Sequence, residues 1–275
     1  MWPPCFLVNK LIKMNEESVG LPLGDCSQKY SFEQSCSPRP SYKTTSPRSH
    51  FVDVPHVHQL YNWDCGLACV LMALKTLGID HCDLQFLANL CSTTSIWTVD
   101  LAYLLQKFSV SFFFLTVTLG ANPNFSAETY YKEQLQSDVG RVDKLFGKAR
   151  ESGISIECRS ICGEEISMLI LSGQFIAVAL VDKYKLSCQS WLKDIYFSEY
   201  VGGNPGYTGH FVVICGYDAD RQEFEIRDPA SPRKYERVSM QCLEKARKSF
   251  GTDEDILLVS LERKAGLNKH SALRF

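Results

Sequence analysis

Hydrophobic and polar positions follow two different periods along this 275-residue chain. Apolar residues at helical spacing predict helices near 64–77, 83–91, 98–107, 126–136, 138–152, 163–172 and 239–249. Aromatic and β-branched runs predict strands at 110–118, 154–158, 175–181, 209–217, 223–227 and 256–261, after an extended segment at 50–57. Helices come first and strands come late, so the pattern predicts an α+β fold with a mostly antiparallel sheet.

The two ends of the chain lack this periodicity. The stretch from Ser27 to Arg48 is rich in Ser, Pro, Tyr, Lys and Gln, a composition that favours disorder over a packed core. We therefore expect a disordered N-terminal arm over 1–49, a folded domain over 50–263 and a flexible tail over 264–275. Within the domain, the polar and glycine-rich segment 182–208 predicts an exposed, irregular loop.

Charge and hydropathy exclude two classes of partner. The formal net charge is −2 and the basic residues are scattered, so the chain has no electrostatic footprint for nucleic acid or for an anionic membrane surface. No apolar run approaches the roughly 20 residues that span a bilayer. The first residues also lack the features of a secretory signal, so we expect a cytoplasmic protein without a membrane span.

Cysteine is frequent in this chain. The twelve cysteines are far too few for a disulfide scaffold, and several lie in apolar runs, so we expect most of them to be reduced and buried. No Cys-x-x-Cys pair is present. The pairs spaced four apart lack a partner pair at zinc-site spacing, so we do not expect a structural zinc ion.

One cysteine stands in a setting that suits a nucleophile. Asp64 predicts the N-cap of a helix that begins at Cys65, and the positive end of a helix dipole favours the thiolate form of a cysteine. Gly66 is expected to leave room for a substrate backbone. Gln59, six residues before the cysteine, is expected to present its amide beside the Cys65 N–H as an oxyanion hole.

Two further segments offer a base and a group that orients it. His210 opens a strongly apolar strand after a glycine-rich loop, where a base is held rigidly yet remains reachable. Asp228 ends the next strand, so a hairpin would bring its carboxylate beside the imidazole. Taken singly, these residues are more often a core cysteine, a turn histidine and a strand terminator. Their joint order instead predicts a Cys65–His210–Asp228 triad with Gln59.

These motifs resemble those of papain-like peptidases that cleave double-glycine leader peptides from bacteriocin precursors. In that family the nucleophile lies in an Asp-Cys-Gly segment with a glutamine six residues before it, and the base lies in a Gly-His segment. The resemblance covers the motif positions and the order of elements. It implies a papain-like α+β fold, with N-terminal helices packed on a C-terminal sheet.

A second resemblance covers nearly the whole chain. The chain is similar to the plant soluble guanylyl cyclase family in 1–3, 9–11, 62–69, 95–105, 119–124, 209–217, 226–231 and 249–255. Animal guanylyl cyclase domain-containing proteins share the central blocks. This resemblance implies a plant source and a magnesium-dependent conversion of GTP to cyclic GMP and diphosphate.

Residues for cyclase chemistry cannot be assigned from the sequence. Such an enzyme needs metal-binding carboxylates and basic groups on the phosphates, and no Walker-type glycine loop is present. The acidic run 253–255 is expected to be a solvated turn before the last strand. Lys245, Arg247 and Lys248 could touch phosphate, although a basic helix face is normally solvated. The GTP-binding and magnesium-binding residues therefore stay open.

Two other functions remain open beside the cyclase. The triad alone predicts a thiol hydrolase or acyl transferase, which would act on a peptide, isopeptide or other acyl substrate and would need no cofactor. A catalytically inactive papain-like scaffold that binds a partner or a nucleotide is the third possibility. A complete triad disfavours the scaffold, because binding alone gives no reason to keep all the catalytic groups together.

Overall fold

The computed structural model of the protein describes residues 47–186 and 206–262. Residues 48–186 and 206–262 belong to one compact unit. The expected arm lies outside the described residues except for 47–49, and so does the expected tail over 264–275. Most of the expected loop, from 187 to 205, also lies outside them.

The strands form one eight-stranded sheet. Its order is β3-β2-β8-β4-β5-β6-β7, and the short strand β1 pairs with the C-terminal part of β5, beyond the end of β4. Every pairing is antiparallel except β2 with β3. The strands are β1 Ser49–Phe51, β2 Phe112–Thr116, β3 Ile156–Cys158, β4 Phe175–Asp182, β5 Gly209–Asp218, β6 Glu223–Arg227, β7 Glu236–Ser239 and β8 Ile256–Ser260.

The helices precede, interrupt and cover this sheet. In the described part of the chain they are α1 Cys65–Thr76, α2 Leu84–Cys91, α3 Thr98–Lys107, α4 Thr129–Lys132, α5 Leu135–Lys148, α6 Gly163–Leu171, α7 Lys183–Leu186 and α8 Met240–Arg247, with a 3₁₀ turn at Pro123–Ala127. None of the helices within 47–186 and 206–262 is long and apolar enough to cross a bilayer.

The sheet is buried on both faces because helices pack against each of them. Strand β4 is buried at every position, and β5 at every position but its last. Side chains alternate along a strand, so Val178 and Leu180 face the core that α1 completes, whereas Ala177 and Ala179 face the other side. Ten consecutive residues of α1 are buried, so this helix lies in the centre of the core.

The predicted α+β class is confirmed. The helices expected near 83–91, 98–107, 163–172 and 239–249 are present, and so are all the predicted strands, with ends shifted by a few residues. The papain-like arrangement is present as well, because the helix that begins at Cys65 packs on β5, the strand that carries His210.

Three local predictions were wrong. The helices expected over 126–136 and 138–152 are instead a 3₁₀ turn that begins at Pro123, the short α4 and a longer α5. Asn122 fixes that turn, because its side chain accepts from the Asn124 N–H. Strand β7 was missed because Val238 is its one buried residue, so it carries no alternating pattern. Within the expected loop 182–208, residues 183–186 form α7.

Most of the described cysteines fit the expectation of reduced thiols. Free cysteines include the buried Cys65, Cys69, Cys82 and Cys215. Cys242 is the exception, since it is disulfide-bonded.

Candidate active site

Cys65 is the first residue of α1, as predicted, and it is 5% exposed. The expected side-chain cap is wrong, however, because the Asp64 carboxylate does not bond to the first turn of the helix. It accepts instead from the backbone N–H groups of Leu60 and Tyr61, at 3.2 and 3.0 Å. The Asp64 side chain therefore fixes the turn that leads into the helix. Its backbone carbonyl accepts the first helical hydrogen bond, from the Ala68 N–H.

His210 and Asp228 meet as the hairpin of β5 and β6 requires. His210 is the second residue of β5, and Asp228 directly follows β6. Antiparallel pairing of Val213 with Arg227 places the two side chains at the same end of the hairpin. The His210 Nε2 lies 2.7 Å from the Asp228 Oδ1, and the imidazole is almost fully buried.

The thiol of Cys65 completes this group. It lies close enough to the His210 ring to raise the pKa of the imidazole. Because Nε2 faces Asp228, Nδ1 is the ring nitrogen left for the sulfur. The structure therefore brings Cys65, His210 and Asp228 together in the order that nucleophile, base and orienting carboxylate require.

Charge at this site favours a protonated imidazole. Burial of His210 lowers its pKa, but the hydrogen bonds to Asp228 and Cys65 outweigh burial and raise the pKa to about 9. For Asp228, burial raises the pKa, but the His210 hydrogen bond and the Ala230 N–H outweigh it and leave the pKa below its ordinary value. The two shifts agree, since each group stabilises the charged form of the other.

The loop after β6 holds Asp228 in place. Its Oδ1 accepts from the Ala230 N–H at 2.7 Å, and its backbone carbonyl accepts from His56 Nε2 at 2.8 Å. The backbone N–H of Gln59 donates to the Pro229 carbonyl at 3.0 Å. The segment that precedes α1 is therefore tied to the segment that carries the carboxylate.

Gln59 lies near the triad, but its side chain does not reach Cys65 by any hydrogen bond among the described residues. Its Nε2 donates to the Tyr61 carbonyl at 2.7 Å, and its Oε1 is buried without a partner. One Nε2 hydrogen remains for an oxyanion, so that role stays a prediction.

The role expected of Gly66 was wrong. A Cβ at this position would lie 2.9 Å from a Leu101 methyl and 3.0 Å from the Phe211 ring. Gly66 is therefore required for the packing of α1 against β5 and α3, and it leaves no room there for a substrate.

A cavity of about 260 Å³ opens beside the nucleophile. Cys65 lines it together with aromatic side chains from four parts of the chain, and its acidic groups include Asp253 and Asp255. The aromatic lining residues are Trp63, Trp97, Tyr130, Tyr131 and Phe211. A ligand that fills this cavity would therefore contact the Cys65 thiol.

The acidic run 253–255 is not the solvated turn that the sequence predicts. Asp255 is 7% exposed, and burial and the Asp253 charge raise its pKa well above the usual range. Burial also raises the pKa of Asp253. Asp253 and Glu254 both adopt positive φ, at 47° and 53°, after Gly251 at 106°. The sequence signal that was available is Gly251, which permits a left-handed turn just before the last strand.

The basic side chains suggested for phosphate binding have other contacts. Arg247 is fully buried, and its guanidinium donates to the backbone carbonyls of Ile161 and Glu254. Lys248 pairs with Glu244 at 2.7 Å. Arg247 therefore stabilises the turn that carries Glu254, and the expectation of a solvated basic face was wrong for this residue.

The donor groups of the cavity do not fit a resident metal ion. Residues 47–186 and 206–262 contain no group of three or more His, Cys, Asp or Glu side chains that could hold one. The Asp253 Oδ1 already accepts from the Thr118 hydroxyl at 2.7 Å and from Asn122 at 3.4 Å.

Fold and geometry place the chain among α+β proteins that carry a Cys–His–Asp group where a helix start meets a strand. The family model described as guanylylate cyclase matches residues 54–259. A relative named guanylyl cyclase 1, from Arabidopsis thaliana, is 56% identical over 273 residues and covers 98% of this chain and 99% of the relative. The chain therefore belongs to the guanylylate cyclase family.

A search of solved structures gives a more distant similarity. The chain is 17% identical to a protein described as a C39-like peptidase from Bacillus anthracis, with a TM-score of 0.45. The match covers 76% of this chain and 94% of the other.

The His210–Asp228 pair predicts a pH-dependent stability. His210 has a folded pKa of about 9 against an ordinary value of 6.5, so its contribution is complete below pH 6.5 and disappears as the pH rises through 9. Asp228, with a lowered pKa, contributes above its ordinary value of 3.8 and less as the pH falls below it. We therefore expect Asp228→Asn to lower the free energy of unfolding by about 1–3 kcal/mol at pH 6.

The loss should shrink at pH 9.5, because His210 is then neutral in the folded and the unfolded chain. Denaturant unfolding of wild type and Asp228→Asn at pH 6 and pH 9.5 measures this loss in the free energy of unfolding. Asp80→Asn, at an exposed position, is the matched control and should change little at either pH. An equal loss at both pH values would contradict this account of the pair.

Proposed function

We propose that this chain is a guanylyl cyclase that converts GTP to cyclic GMP and diphosphate, and that Cys65, His210 and Asp228 supply its acid–base chemistry. The observation that carries the proposal is the family match, which spans 54–259 and so includes these residues and Gln59. The relative at 56% identity supports it, because its name gives the same activity. Magnesium enters this proposal with the substrate, as MgGTP, since Mg²⁺ is commonly held through substrate phosphates.

The reaction sets three tasks for the protein. The ribose 3′-oxygen must attack the α-phosphorus while the bond from that phosphorus to the diphosphate oxygen breaks. The proton of the 3′-hydroxyl must pass to a base. Negative charge on the phosphates must meet positive charge or hydrogen-bond donors at the site.

The Cys65–His210 pair suits the second and third tasks. In this proposal the imidazole carries the one proton of the pair and the sulfur is a thiolate, which takes the proton of the 3′-hydroxyl. Asp228 keeps the imidazole oriented and favours its charged form. An imidazolium at this position would also attract the negatively charged phosphates. The sequence alone predicts acyl transfer by Cys65, His210 and Asp228. In this proposal the same three residues serve phosphoryl transfer instead.

Production of cyclic GMP from MgGTP tests this proposal. We expect purified wild type to form cyclic GMP, and Cys65→Ala and His210→Gln to lower kcat by about 10²-fold or more, because each removes a partner in proton transfer. Cys158→Ala is the control, since that cysteine is exposed and distant in sequence from the site. Folded variants with wild-type rates would place the cyclase site elsewhere. Absence of product from wild type would overturn the cyclase proposal.

One observation favours a second function. A thiol in contact with a buried His210–Asp228 pair is the arrangement used for nucleophilic acyl transfer. In that reaction the sulfur attacks a carbonyl carbon, His210 passes a proton to the leaving amine or thiol, and water later releases the acyl group. Gln59 could donate its remaining amide hydrogen to the oxyanion.

Acylation by p-nitrophenyl acetate tests this second function. We expect release of nitrophenol with an acetyl group retained on Cys65, detected by mass spectrometry, and at least tenfold slower acylation in His210→Gln, which lacks the base. Cys158 is the internal control, because it is exposed and far from His210 in the sequence. Faster acetylation of Cys158 than of Cys65 would contradict an acyl-transfer role.

A further inference from the structure

The cavity beside Cys65 has two unsatisfied polar groups in its wall. The Asp255 Oδ1 and the Thr98 hydroxyl oxygen are both buried without a well-formed hydrogen bond, although the Thr98 and Thr116 hydroxyls lie close enough to Asp255 to lower its pKa against the effect of burial. Thr98 is 1% exposed and Asp255 is 7% exposed. A buried polar atom without a partner is destabilising, so native proteins rarely keep one without a use.

The other buried carboxylate of the cavity is fully engaged. Asp138 accepts from the Ser95 hydroxyl, from Trp97 Nε1 at 3.0 Å and from the Arg141 guanidinium at 3.1 Å. It therefore has little capacity left for a ligand. Of these two buried carboxylates, Asp255 is the one with accepting capacity left, next to the Thr98 hydroxyl.

The aromatic walls are held in fixed orientations. The Trp97 ring is fixed by its bond to Asp138, and the Tyr131 hydroxyl donates to the Gly251 carbonyl at 2.7 Å. The centroids of these two rings are 5.4 Å apart, with an interplanar angle of 42°. Rigid aromatic walls favour a flat ligand, since stacking of a base on an aromatic ring is favourable.

The polar groups select among flat ligands. A carboxylate accepts two parallel N–H donors, which the N1–H and 2-amino groups of guanine present side by side. Adenine offers one donor next to a ring nitrogen acceptor, which would face a carboxylate oxygen and be repelled. The cavity also carries Glu133 and Asp253, so the phosphates of a nucleotide are disfavoured inside it.

We propose that this cavity binds the guanine base of the nucleotide, with Asp255 accepting from its N1–H and 2-amino groups and Trp97 packing on one face of the base. The inference rests on the proposed function, which supplies a guanine nucleotide as the ligand. The base occupies the cavity, which Cys65 also lines, and the sugar and phosphates lie outside it. Burial disfavours the charged form of the Asp255 carboxyl group. The N1–H and 2-amino groups of guanine would stabilise that charge by hydrogen bonding to it.

Binding of mononucleotides tests the proposal without any turnover. Trp63 and Trp97 line the cavity, so their fluorescence should report on GMP, IMP and AMP. We expect wild type to bind GMP about tenfold or more tightly than IMP, which lacks the 2-amino group, and to bind AMP more weakly still. Equal affinity for GMP and AMP would overturn the proposal.

Asp255→Asn supplies the matched substitution, with Asp80→Asn as the exposed control. We expect Asp255→Asn to weaken GMP binding about tenfold and to reduce the preference for GMP over IMP, and Asp80→Asn to change neither. An unchanged GMP-to-IMP ratio in a folded Asp255→Asn protein would overturn the assignment. If the variant does not fold, the selectivity of wild type still decides, because it needs no substitution.

These readouts separate the two proposals. Selective GMP binding without cyclic GMP production would leave the guanine site standing and remove the cyclase. Cyclic GMP production without selective GMP binding would leave the cyclase proposal standing and overturn the guanine site. Binding of N-acetylarginine amide in place of GMP would overturn the guanine site, because a guanidinium presents the same donor pair from a peptide side chain.

Discussion

The rest of this structure depends on the close packing of α1 against β5. The helix start carries Cys65 and the strand start carries His210, so the contact between the two elements sets the distance between thiol and imidazole. Gly66 makes that contact possible, because a Cβ there would press on Leu101 and Phe211. Asp228 then follows from the β5–β6 hairpin, in which an irregularity between Ile214 and Gly216 shifts the register. The arrangement of Cys65, His210 and Asp228 is thus a consequence of the packing of the core.

The same packing leaves a cavity in which one buried carboxylate has hydrogen-bond partners and another has an oxygen without one. Ser95, Trp97 and Arg141 satisfy Asp138 and hold one wall, whereas Asp255 stays buried with an oxygen free. A left-handed turn delivers Asp255 there, and left-handed residues other than glycine carry a conformational cost. The left-handed backbone before Asp255 and its unpartnered oxygen both suggest that this wall of the cavity binds a ligand. Family membership makes a guanine nucleotide the ligand to test first.

Local features of the site were predictable from the sequence, and its long-range features were not. Asp-Cys-Gly, Gly-His and Asp-Pro are short motifs next to strong helix or strand patterns, so the sequence alone suffices to place Cys65, His210 and Asp228. The cavity could not be predicted in this way, because Trp97, Tyr131 and Asp255 come from distant segments and carry no shared motif. The run 253–255 reads as a solvated turn, since the sequence does not show that positive φ at Asp253 and Glu254 accompanies a buried Asp255.

The central claim is that the thiol group and the nucleotide share one site. The rate at which iodoacetamide alkylates Cys65, measured with and without GMP, tests it most directly, with the exposed Cys158 as internal reference. We predict that saturating GMP slows alkylation of Cys65 about tenfold or more and leaves the rate at Cys158 unchanged, because a base in the cavity covers the sulfur. An equal Cys65 rate with and without GMP would contradict the account, since the nucleotide would then bind elsewhere or not at all.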